Sequence, residues 1–79
     1  MNKDEFNSLV EIKVQDLVSL IIEQNQYDFL DAVKYLYDSK LYDSMLNEKT
    51  KLWHLSNYKL FEMLLEEKQT HELKYPDYV

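Results

Sequence analysis

The stretch from Phe6 to Ile22, FNSLVEIKVQDLVSLII, decides how the rest of the chain is read. Wound on a helix at about 100° per residue, Phe6, Leu9, Val10, Val14, Leu17, Val18, Leu20 and Ile21 spread over roughly half the circumference. A surface helix needs an apolar stripe only slightly wider than about 100°. An arc this broad takes two or more neighbours to cover it, so the segment is expected at the centre of a helical domain. A strand reading competes locally, because Val10, Ile12 and Val14 alternate with Glu11, Lys13 and Gln15. The helical pattern extends much further, from Phe6 to Ile21, and nothing breaks it. Helix therefore prevails, although its β-branched residues make it weak in isolation.

Working outward, a first helix is expected from about Asp4 to Gln24, its early acids Asp4 and Glu5 suiting the positive end of the dipole. The short Asn25–Gln26 connection favours an antiparallel neighbour. A second helix over Tyr27 to Ser39 sets Phe29, Ala32, Val33, Leu36 and Tyr37 on one face and Asp28, Asp31 and Asp38 on the other. Tyr35 falls outside that face and is expected to be exposed. Lys40 to Leu46 reads as a further helical turn or two, with Leu41, Met45 and Tyr42 inward. Asn47 to Thr50 is loop-like, and Lys51 to Leu55 reads as an extended segment laid on the bundle. Ser56 is a well-placed N-cap for a last helix, Asn57 to Thr70. That helix gathers Tyr58, Leu60, Phe61, Met63, Leu64 and Leu65 on one side, with Glu62, Glu66 and Gln69 opposite. Residues 71–79, with the single proline at Pro76, form a non-helical tail. The expectation is one all-α domain over residues 1–79: a small helical bundle of three main helices plus a short helical segment.

Composition narrows the function classes. The chain has 79 residues, 46% of them hydrophobic, and no cysteine. It is a single small core without disulfide or thiolate–metal support. Net charge is −6, and all nine basic residues are lysines. Nucleic-acid binding rests on neutralised phosphates and, most commonly, on arginine reading guanine. A DNA-associated regulator is the second reading, but the last helix is acidic where a recognition helix is basic, so no nucleic-acid partner is expected. MNKDEFNS lacks the apolar run of a signal peptide, and the apolar stretch after it carries too many charges for a membrane span. A cytoplasmic location without membrane contact follows. The absence of glycine excludes phosphate-cradling glycine loops. It also leaves helix ends to Asn25 and Asn47 as left-handed substitutes.

The chemistry-bearing residues do not assemble into a site. Glu67 and His71 share a helical face but lack the further ligands a metal needs. His54 has no carboxylate fixed near it, and Asp28 and Asp31 are explained by a helix start. No cofactor, metal, catalytic group or small-molecule substrate is expected. Trp53 is the only tryptophan and reads first as closing the end of the bundle. The seven tyrosines are too many for a core this size. The surplus points to protein contact, for which aromatic residues are suited. The candidates are Tyr35, Tyr42, Trp53, Tyr58, Tyr75 and Tyr78.

Tyr35-Leu36-Tyr37 with Ser39, then Thr50, Leu52, Trp53 and Ser56 leading into the final amphipathic helix, resemble segments of short uncharacterised all-helical bacterial proteins. The resemblance covers the second half of the chain. Some proteins of this kind are similar to the small partners of toxin-like domains, which implies an antitoxin or adaptor role and carries over no catalytic residue. The function expected is a non-enzymatic interaction module that binds protein, either a second copy or a separate partner.

Overall fold

Every α-helix among the described residues opens on a side chain that accepts from its own first turn. Asn2 accepts the Glu5 N–H at 2.8 Å and its amide donates back to the Glu5 carboxylate at 2.9 Å. This reciprocal pair starts α1, Lys3–Asn25. Asp28 accepts from the Asp31 N–H at 2.8 Å to start α2, Phe29–Tyr37. Ser39 accepts from Tyr42 at 3.0 Å to start α3, Lys40–Met45. Ser56 accepts from Lys59 at 3.1 Å to start α4, Asn57–Thr70. Caps of this kind are worth about 1 kcal/mol each. The structure, a computed structural model, describes residues 2–75, and no strand occurs among them. Val10 to Val14 lie inside α1, so the alternation there is helical in the event.

The bundle of three main helices and one short one matches the expected architecture. α1 runs through its middle and packs on α2, α4 and the turn before α4. Leu17 and Ile21 from α1, Ala32 and Leu36 from α2, Leu41 and Met45 from α3, and Leu60 and Leu64 from α4 are fully buried together. Lys13 Nζ reaches from the flank of α1 to the Leu55 carbonyl at 2.6 Å, and Asp16 accepts from the Asn57 amide at 3.0 Å. These two bonds tie the joint ahead of α4 to the central helix.

Several expectations are corrected. Asp28 is spent as a cap, so α2 begins at Phe29 rather than Tyr27. The expected loop and extended segment hold two 3-10 turns, Glu48–Thr50 and Leu52–His54. The second turn drives Leu52 into the core, with Leu55 buried just after it. Left-handed backbone falls on Gln26, Lys51 and His71, not on Asn25 or Asn47. Asn25 is the last residue of α1, and Asn47 instead accepts from Lys49 as the cap of a 3-10 turn. Tyr58, expected on the apolar side of α4, is 71% exposed.

Residues 71–75 are non-helical and lie against the body. Leu73 packs on the core, the His71 carbonyl accepts from Lys40 Nζ at 3.1 Å, and the Tyr75 and Ser44 hydroxyls are hydrogen-bonded at 2.9 Å. Tyr78 and the rest of the expected tail fall outside the described residues. No helix among the described residues is long and apolar enough to cross a membrane.

Candidate protein-binding surface

The breadth of the α1 arc determines what is left uncovered. Phe6, Val10, Val14, Val18 and Ile22 recur every fourth residue and so form one row along the helix. Leu17 and Ile21, beside that row, face the core; within the row Phe6, Val10 and Val18 are buried and form the floor, whereas Val14 and Ile22 remain half-buried. Across from the row stand Phe29, Val33 and Tyr37 of α2, again four apart, and then Tyr42 and Leu46 at α3. Between these walls lie two depressions, of about 480 Å³ on the α3 side and about 350 Å³ on the α2 side. Both include Val14, Gln15 and Tyr37 in their walls, so they adjoin along one face, the trough. At 1.5 Å of rise per residue the row from Phe6 to Ile22 is about 24 Å long. Among the described residues lining it, Glu11 alone is charged.

The aromatic candidates do not gather on one surface. Tyr42 lines the trough, where its ring stacks on Tyr37 at 4.5 Å between centroids. Tyr35 and Tyr37 exchange their expected roles. Tyr37 is 49% exposed on the trough side. Tyr35 is half-buried on the other flank of α2, edge-on to Tyr27 and with Lys68 Nζ 4.6 Å from its ring centre. The buried centre of α2 is Ala32 and Leu36, which puts Tyr35 and Tyr37 on opposite flanks. Burial pushes the Tyr35 phenol above its ordinary 10.0, and the neighbouring Tyr27 adds to this. Burial raises Tyr42 likewise, with Tyr37 the next cause.

Trp53 is half-buried, meets Phe6 edge-to-face at 6.4 Å and donates its indole N–H to the Glu48 carbonyl at 2.9 Å. It closes the bundle beside the start of α1. Tyr58 is exposed on the outer side of α4, and Tyr75 sits over α3. Reasoning from the sequence missed Phe29, at 64% exposure, together with Leu30, Tyr37 and Leu46. The available signal was the α1 arc itself, too wide for its neighbours to shelter completely.

The residues weighed for chemistry are separated. His71 is the exposed left-handed residue that ends α4, while Glu67, four residues earlier, turns inward and is only 6% exposed. Its carboxylate accepts the Lys40 N–H at 2.7 Å and the Leu41 N–H at 2.9 Å. Glu67 thereby caps α3 from across the bundle. It follows Leu60 and Leu64 at helical spacing, so the inward register of α4 carries it into the core. His54 is exposed beside Trp53. No protein-family model matches the chain, and no curated protein or solved structure shows significant similarity to it.

Proposed function

We propose that this chain is a non-enzymatic protein-interaction module of bacterial type, adaptor-like or antitoxin-like, that acts in the cytoplasm by docking protein in the α1–α2–α3 trough. The observation that carries this reading is an open groove about 24 Å long, lined mainly by apolar side chains with Asn7, Gln15 and Ser19 between them and, among the described residues, Glu11 as the single charge. Soluble monomers seldom leave large apolar patches open without a partner to cover them. The stacked Tyr37 and Tyr42 rings add the aromatic character that binding centres favour. The cytoplasmic setting is supported by a chain without cysteine. The bacterial adaptor or antitoxin-like role rests on the resemblance in the second half of the chain.

Site-specific photo-crosslinking in the native host tests the reading. A photoreactive residue at position 37 is expected to give discrete protein adducts, and the same probe at Tyr58 is expected to give none. Adducts absent from position 37, or equally abundant at both positions, contradict it.

A further inference from the structure

Resting on the interaction reading above, we infer that the occupant of the trough is a second copy of this chain, paired about a twofold axis. The first argument is charge. A cationic helix would be held by carboxylates along the walls, but the walls offer only Glu11. The same scarcity lets two chains of net charge −6 meet face to face with almost no like-charge contact. Among the described residues the other acids are not in the walls, and charges beyond them are screened within about 8 Å at physiological salt.

The second argument is shape. A twofold interface must complement itself, so one patch has to supply both knob and hollow. Phe29 and Leu30, 64% and 68% exposed, project from the first turn of α2. Phe29 stands at the Ile22 end of the hollow it helps to line. Two α1–α2 hairpins placed face to face set each Phe29 into the other's trough and produce a four-helix arrangement with apolar rows inside.

The third argument is area. A trough about 24 Å long, walled by helices about 10 Å across, has a footprint on the order of 500 Å². The pair therefore buries on the order of 1,000 Å², close to the lower bound for a specific interface. The dimer is accordingly reversible and concentration-dependent rather than obligate.

Sedimentation of the full chain over a wide concentration series is the test. The mass is expected to climb from 9.6 kDa toward twice that value. Phe29→Glu places its charge in a first helical turn, where the dipole favours it, so the fold is retained. This variant is expected to weaken association by about tenfold or more, while Tyr58→Glu leaves it unchanged. Undiminished dimerisation of Phe29→Glu overturns the inference, as does a monomer at every concentration. In the monomer case a designed Leu–Gln amphipathic peptide, uncharged like most of the walls, separates the two readings. Shifted backbone resonances at Val14 and Val33 overturn only the second-copy occupant, whereas unmoved resonances overturn the interaction module as well.

Discussion

Glu67 shows how one side chain can hold an element that is too short to hold itself. α3 has six residues, well below the length at which an isolated helix is stable. The free N–H groups of Lys40 and Leu41 at its start are answered by a buried carboxylate twenty-six or more residues away. Hydrogen bonds to charged groups are worth about 1.5–3 kcal/mol, and a buried donor left without a partner adds a penalty. Glu67→Ala is therefore expected to cost about 2–4 kcal/mol in chemical denaturation, and Glu67→Gln about half as much. A loss below about 0.5 kcal/mol for Glu67→Ala, as for an ordinary surface position, contradicts the capping role. The raised phenols of Tyr35 and Tyr42 give a second expectation at this scale. Unfolding lets each give up its proton at lower pH than in the native state. Their contribution is thus complete below about pH 10 and is lost as pH rises through the higher folded-state values. Denaturation midpoints should fall across that alkaline window, and fall less steeply in the Tyr35→Phe, Tyr42→Phe double variant. Identical slopes contradict the assignment.

At the scale of the element, α1 divides into a sheltered side and an open one, and the two sides should respond differently to truncation. Leu17→Ala empties a fully buried position and is expected to cost about 3 kcal/mol. Val14→Ala, on the trough wall, should cost less than about 1 kcal/mol in the monomer. Equal costs in thermal or denaturant unfolding would mean that Val14 is sheltered. Helix ends offer a gain. Gln26 holds left-handed backbone at φ 58° without being glycine. Relief of about 1–2 kcal/mol of strain, set against the greater freedom of glycine in the unfolded chain, leaves Gln26→Gly about 0.5–1 kcal/mol more stable. A destabilised Gln26→Gly contradicts this. The elements themselves were readable where a cap and a periodic run coincide, as at Ser56, which starts α4 at the expected Asn57. They were less readable where tertiary contacts decide. Nothing local in Lys51–Leu55 announces a 3-10 turn, since its left-handed Lys51 and inward Leu52 are set by the bundle they close.

For the molecule as a whole, the helical fold could be read from the breadth of one apolar arc, but the candidate surface could be read only in part. Hydrophobicity placed Phe29 and Tyr37 inside because a sequence does not show whether a third element covers a helix pair. Phe29 stays 64% exposed, and Tyr37, although its ring stacks on Tyr42 of α3, stays 49% exposed. The tyrosine surplus pointed toward protein contact, yet Tyr35 and Trp53 are occupied in internal packing, and among the described residues only Tyr42 of the named candidates lines the trough. Charge explains the rest of the pattern: with fifteen acids and nine lysines, an apolar face almost free of both stands out against the remaining surface. The central claim is that a second copy of the chain covers this face when the protein works. Hydroxyl-radical footprinting of dilute and concentrated protein tests it most directly. The account predicts that Phe29, Tyr37 and Leu46 lose labelling on concentration while Tyr58 keeps it; labelling that stays the same at all four would contradict it.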